Sequence, residues 1–368
     1  MINAEEKNRE VTTFACNSCG ADLTFNPGTT ELKCMHCGAT NDIPVMDIPI
    51  EELDFNEHLK NLENEEEQLT VNLVKCKNCG ASSTLEAKIQ SASCPYCATP
   101  LIVKDAREEN ILRPKSLLPF KLNKNDARGQ FEKWVKGLWF APNVLKKANL
   151  LLDKFKGIYL PFWTYDSNTD TPYLGQRGEH YYVTESYTTT ENGKSVTRTR
   201  QVQHTRWYTV SGRVQNVFDD VLIPASYSLP EKYVRKLEPW DLNNLKPFEE
   251  SFLSGFISEK YQRNLQEGFT EAREIMEDEI RFSIRRDIGG DEQRITSMYP
   301  KYSDITFKHV LLPVYVCAYT FKDKLYQFIV NARTGEVQGE RPWSWIKIAF
   351  ASLVAAIIIG AIVYFSNQ

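Results

Sequence analysis

CNSCGADLTFNPGTTELKCMHCGA, residues 16–39, and CKNCGASSTLEAKIQSASCPYCAT, residues 76–99, are two versions of one pattern. In each, a Cys-x2-Cys pair is followed by fourteen residues and a second such pair: Cys16, Cys19, Cys34 and Cys37, then Cys76, Cys79, Cys94 and Cys97. Each cysteine of the second set lies sixty positions after its counterpart, and both sets begin CxxCGA, so one module has been duplicated. A CxxC at a tight turn aims two sulfurs at one point. Fourteen residues let the chain run out, turn and return with a second such turn beside the first. Four thiolates then close a tetrahedron around a zinc ion at Zn–S distances of about 2.3 Å. Gly20, Gly38 and Gly80 follow their pairs, where the backbone must bend sharply; Ala98 departs from that pattern.

The spacing therefore predicts two four-cysteine zinc ribbons, over 11–45 and 73–104, with two Zn2+ as cofactors. Four protein ligands fill each coordination shell, so the sites are expected to be structural, not catalytic, and His36 a bystander. Modules this small cannot bury a sufficient core, so metal binding should supply most of their folding energy.

Between the ribbons, residues 46–72 form an acidic linker, with EELDFNEHLKNLENEEEQL at 51–69. Leu53, Leu59, Leu62 and Leu69 sit near helical spacing, which reads as a solvated helix or a tether; a docking surface for a basic partner is the other reading. Residues 1–110 hold 9 Lys/Arg against 19 Asp/Glu, so they are acidic, while the remainder of a chain of net charge −4 is mildly basic. Neither ribbon has the dense basic surface of a phosphate-binding module: Lys33 stands against Asp22, Glu31 and Asp42, and Lys75, Lys77, Lys88 and Lys104 against Glu86 and Asp105. Protein contact is the expected role.

The chain closes with IKIAFASLVAAIIIGAIVYFSNQ. A helix over 346–365 is long and apolar enough to cross a hydrocarbon core of about 30 Å. Trp343 and Trp345 sit at its near boundary and Tyr364 at its far one, as interfacial aromatics do. Arg341 and Lys347 flank the near side, with Lys347 expected to snorkel. The positive flank predicts a single-pass protein of the cell membrane with its N-terminal bulk in the cytoplasm. The polar start, MINAEEKNRE, shows no apolar export signal, which agrees with CxxC pairs acting as metal ligands in a reducing compartment. So short a tail also predicts insertion after synthesis.

Residues 105–342 read as a mixed antiparallel-β/α domain, making the whole an α+β multidomain protein. LLPF (117–120), YLPF (159–162), LIPA (222–225) and LLPV (311–314) each carry a proline, which predicts strand starts or edge strands. Asn192-Gly193 suits a two-residue hairpin turn, so residues whose numbers sum to 385 should pair within a long hairpin over 179–206 whose tip projects. That register puts Glu185 opposite Arg200. It also turns His180 and His204 to opposite sides, against a joint ligand set. A helix over 268–287 should bury Phe269, Ala272, Met276, Ile280 and Ile284. Cys317 reads as a packed strand residue, and the pairs Asp219-Asp220 and Glu249-Glu250 as solvated acids. No phosphate loop, HExxH or GxSxG occurs, so no enzymatic activity is expected.

The ribbons together with LSGFISEKY (253–261), RRDIGGD (285–291), KHVLLPVYVCAY (308–319) and VNARTGEVQGERPWS (330–344) resemble a bacterial family of TFIIB-type zinc-ribbon proteins with a terminal membrane helix. Some members carry labels such as primosomal protein N-prime or superfamily II helicase, although no helicase nucleotide-binding motif is present here. The resemblance implies the eight paired cysteines as ligands. It also implies partners similar to phage-shock-protein-A-like and SPFH or virion-core-like proteins, recruited to the membrane during envelope stress. The leading expectation is a membrane-tethered adaptor that binds protein partners. The alternative is a membrane-associated nucleic-acid-binding protein using Lys194, Arg198, Arg200, Arg206 and Arg213.

Overall fold

The computed structural model describes residues 14–44, 49–60, 68–84, 92–101, 106–142, 155–191, 194–321, 324–341 and 343–366. It is a sheet-rich α+β protein with two four-cysteine clusters and an apolar C-terminal helix, as the sequence predicts. Among the described residues one ten-stranded sheet runs through the body. Its strands are β1 (Leu53–Asp54), β2 (Ser116–Leu117), β3 (Phe155–Glu191), β4 (Lys194–Pro224), β5 (Lys246–Pro247), β6 (Ile257–Ser258), β7 (Glu292–Met298), β8 (Lys301–Phe321), β9 (Lys324–Asn331) and β10 (Val337–Gly339). The helices longer than one turn are α1 (Phe55–Lys60), α2 (Lys124–Gly137), α3 (Leu265–Ile288) and α4 (Trp345–Ser366). The main path of the sheet is β4-β3-β8-β2-β5, with β6 and β7 also on β3, β1 and β9 on β8, and β10 on β9.

Strands β3 and β8 pair antiparallel from Phe155 opposite Cys317 to Asp170 opposite Lys301. Residues 158–165 and 307–318 are buried without a break, so both faces of the sheet are covered there. Successive side chains point to opposite faces, and parity separates two cores. Phe155, Tyr159, Leu311, Tyr315 and Cys317 pack with α2 and the first ribbon's Cys16, Leu23, Phe25, Leu32 and Cys34. Ile158, Leu160, Leu312, Val314 and Val316 pack with the second ribbon's Cys76, Ala81, Cys94 and Tyr96. The ribbons thus cover opposite faces of the central sheet. Trp163, Tyr165 and Phe307, on the first ribbon's face further along, pack against Phe55 and against Leu265, Ala272 and Met276 of α3.

Two of the four proline segments do not behave as predicted. Pro161 and Pro313 lie inside the long central strands, opposite Leu311 and Tyr159. The carbonyl of Pro161 accepts from the Ala225 N–H and that of Pro313 from the Ala332 N–H. Each proline therefore turns its missing donor away from the β3–β8 ladder, towards a place where the neighbouring strand changes. Pro224 closes β4, and Pro119 follows the end of β2.

The hairpin has the predicted register: Glu185 faces Arg200, Tyr187 faces Arg198 and Glu191 faces Lys194, although the Asn192-Gly193 turn lies outside the described residues. The last contact of β3 with β7 is Gly178 opposite Glu292. Beyond it, Glu179–Arg206 is a two-stranded ribbon of thirteen facing pairs, about 44 Å long. His180 faces Thr205 and bonds Glu292 at 2.9 Å, while His204 faces Tyr181 and stacks on it at 5.5 Å, so the two histidines serve separate contacts.

Helix α3 begins at a capping box, Asn264 with Glu267, and ends at Gly289 with φ +66°. Ala272, Met276, Ile280 and Ile284 are buried, and Phe269 is half-buried. The acidic stretch does not run free at its start. Leu53–Asp54 pairs with Phe307 and Thr306 of β8, and Phe55 is buried under α3. Residues 61–67 lie outside the described residues.

Candidate metal centres

Each half-site is a knuckle built by local backbone bonds. The Cys16 N–H donates to the Ala21 carbonyl and the Gly20 N–H to the Cys16 carbonyl, both at 2.8 Å. The same pair of bonds closes the turns at Cys34, Cys76 and Cys94. Such a turn needs a left-handed residue, supplied by Gly20 (φ +72°), Gly38 (+79°) and Gly80 (+79°). Ala98 adopts the same conformation at φ +60° despite its Cβ. The first ribbon holds its knuckles on the antiparallel strands Leu23–Phe25, Glu31–Cys34 and Thr40–Asp42. In the second, Gln68–Lys75 pairs with Ser82–Thr84 and Arg107–Leu112, and Ala92–Ser93 pairs with Pro100–Leu101.

The knuckles bring Cys16, Cys19, Cys34 and Cys37 into one group and Cys76, Cys79, Cys94 and Cys97 into another, all sulfurs of each within 4.8 Å. Cys16 and Cys37 lie 3.6 Å apart, as do Cys19 and Cys34. The corresponding separations in the second ribbon are 3.6 and 3.5 Å. A disulfide would require about 2.05 Å, whereas a tetrahedral ion bound at about 2.3 Å sets sulfurs about 3.8 Å apart. The donor set and its spacing fit a four-thiolate metal site. Backbone N–H groups also point at the sulfurs. The Cys37 N–H, 3.5 Å from Cys34 Sγ, holds that thiol down at about 6. Burial pushes the Cys79 thiol up to about 11. His36 is exposed and outside the sulfur group.

The two centres differ in how they join the sheet. Tyr96, between Cys94 and Cys97, is fully buried and donates to Glu259 at 2.6 Å. Glu259 is 2% exposed and also accepts from Ser226 (2.8 Å), Ser228 and Gln262 (2.9 Å). Burial pushes its carboxyl up to about 7. The sequence reading missed this pair. The only local signal is Pro95-Tyr96 standing where the first ribbon has Met35-His36.

A second unforeseen group corrects the solvated reading for Asp220, whereas Asp219 is exposed as read. Asp166, Asp219 and Asp220 converge, but the half-buried Asp220 accepts from the Lys308 ammonium at 2.8 Å, and Glu52 accepts from it at 3.0 Å. Burial pushes the Asp166 carboxyl up to about 6. Lys308 is only 7% exposed and is shared by Glu52 and Asp220, so the group is a half-buried ion-pair network, with carboxylates in excess, that ties the acidic stretch to β8.

No family model matches this chain, and no solved structure matches it. It is similar to the uncharacterized protein YdjG of Bacillus subtilis (strain 168), 27% identical over 341 residues that span 92% of each chain.

Proposed function

We propose that this chain is a cytosol-facing, single-pass membrane adaptor, with a structural Zn2+ in each ribbon, that recruits protein partners to the bilayer. An all-thiolate tetrahedral set suits zinc, and a closed shell leaves no position for substrate. Bound zinc would supply folding energy to the ribbons; the chain's own residues do the anchoring and presenting. The observation that carries the reading is α4: twenty-two residues, none buried against the body, on a helix apolar and long enough to span a bilayer. Reduced thiols and the positive flank, Arg341 and Lys347, favour a cytoplasmic body. In this reading the projecting Glu179–Arg206 arm and the outer surfaces of the ribbons meet partners, and no substrate is turned over. The family resemblance suggests phage-shock-protein-A-like or SPFH-like partners.

The nucleic-acid alternative is less favoured because at least three of its five cations are engaged. Arg200 pairs with Glu185 at 3.3 Å, Arg213 pairs with Asp170 at 2.9 Å, and Arg206 lies over Tyr181. Crosslinking in native membranes, followed by capture of intact protein and of a Cys76→Ser/Cys79→Ser variant, tests the adaptor reading. Specific protein adducts that fall with the variant are expected. Equal recovery from both, or recovery of nucleic acid that declines steeply with salt, would count against it.

A further inference from the structure

We propose that the segment 138–141, between α2 and the aromatic collar of α4, is a second membrane contact: Trp139 seats in the interfacial layer and the adjoining cleft takes an anionic phospholipid. This rests on the reading of α4 as membrane-spanning. The segment is clamped to the first turn of α4. The Ser344 N–H donates to the Phe140 carbonyl at 2.8 Å, and the Lys347 ammonium donates to the carbonyls of Ala141 at 2.8 Å and Trp139 at 3.3 Å. Lys347 therefore does not simply snorkel, as the sequence suggests. Its charge meets carbonyls just beyond the C-terminus of α2, where the helix dipole is negative. Ala141 is 1% exposed and belongs to the same core as Phe131 and Val135, so the clamp is rooted in the body.

These bonds set the height of the segment at the membrane entry of α4. There Trp139 is 75% exposed, Trp343 lies 6.3 Å from the neighbouring Phe140 ring, and Trp343 and Trp345 are also exposed. Indole rings open to water are poorly placed in solution and well placed among lipid headgroups. A cleft of about 430 Å³ opens at this point, lined by Lys136, Gly137, Trp139, Ile346, Lys347 and Phe350. Ile346 and Phe350 belong to α4 itself, so the cleft is continuous with the helix surface that faces lipid chains. The exposed Lys136 stands at the last turn of α2, suited to a phosphate. The occupant is accordingly a lipid of the same bilayer.

The test uses full-length protein in nanodiscs of phosphatidylcholine, with or without phosphatidylglycerol. Photoreactive benzoylphenylalanine replaces Trp139, Leu353 of α4 or the exposed Phe282 of α3 in turn. Lipid adducts are expected at positions 139 and 353 but not at 282. Lys136→Glu should lower the yield at 139 by at least about fivefold in phosphatidylglycerol discs, which is about 1 kcal/mol for the lost surface cation alone, and leave 353 unchanged. Adducts at 353 without adducts at 139 would overturn the second contact while leaving the spanning helix intact. An unchanged yield at 139 in Lys136→Glu would overturn the headgroup site. Absence of lipid adducts at both 139 and 353 would remove the spanning reading and this proposal with it.

Discussion

The two ribbons share one cysteine spacing and one set of knuckle bonds, yet they meet the sheet through different chemistry. The first docks by apolar contact and uncharged hydrogen bonds: the Phe25 N–H donates to the Ser254 carbonyl at 3.0 Å, and the Ser254 hydroxyl to the Leu23 carbonyl at 2.6 Å. Phe25 packs edge-on to Phe252 at 5.2 Å and beside Phe256 at 6.4 Å, with Leu23, Leu32 and Ile43 around it. The second docks through a buried polar pair, Tyr96 on Glu259, closed by Ser226, Ser228 and Gln262. Ligand spacing thus sets the metal chemistry, while the residues between the ligands set the anchor. An apolar anchor is indifferent to pH and tolerant of repacking; a buried carboxyl network is neither.

Removing metal should have the largest effect and should be the same for both ribbons. Cys16→Ser/Cys19→Ser or Cys76→Ser/Cys79→Ser should each lower zinc content from two equivalents to one. Each also forfeits metal-linked folding energy on the order of 10 kcal/mol. Because each ribbon covers one face of the sheet, thermal unfolding of the body should shift down in both variants. Loss of one zinc with unchanged unfolding would show that the ribbons are appendages and break the comparison.

Next, Phe25→Ala should cost about 3–5 kcal/mol in denaturant unfolding, as for a large aromatic removed from a packed core, with no change across neutral pH. The second ribbon's anchor should respond differently. Tyr96→Phe removes one donor to a buried carboxyl and should cost about 1–3 kcal/mol. The folded state holds the Glu259 proton up to about 7 against an ordinary value of 4.5. That contribution is therefore full below pH 4.5 and is lost as pH rises through 7. Glu259→Gln mimics the protonated form. Measured against wild type with zinc bound in both, its relative stability should improve by up to about 3 kcal/mol between about pH 5 and pH 8. A flat difference would mean that the carboxyl is not held neutral.

The smallest effect concerns the knuckle that lacks glycine. Ala98→Gly should relieve a left-handed alanine and stabilise the second ribbon by about 1 kcal/mol, read as slower zinc release to a chelator. The reciprocal change, Gly80→Ala, should weaken the same centre by a similar amount.

Much of this is legible in the sequence, because local rules generate it. Asn192-Gly193 and the alternation around it specify the register that puts Glu185 opposite Arg200. The stripe of α3 follows from a period of 3.6, although its cap at Asn264 was missed by a few residues. Pro161 and Pro313 misled, because a proline argues against a central strand unless its missing donor falls between two neighbours, and only pairing reveals that. The solvated reading of Asp220 failed for a related reason. Its partners Lys308 and Glu52 lie 88 and 168 residues away along the chain, beyond any local pattern.

By itself the sequence determined the four-sulfur groups, the projecting hairpin and the apolar terminal helix, since each follows from spacing or periodicity within a few dozen residues. The tertiary structure alone decided that the ribbons lie on opposite faces of one sheet, that Tyr96 meets Glu259, and that Lys347 grips the end of α2. Those contacts join residues separated by more than a hundred positions, or by a change of face. They arise from which buried surfaces cover each other, a choice that no short stretch of chain encodes.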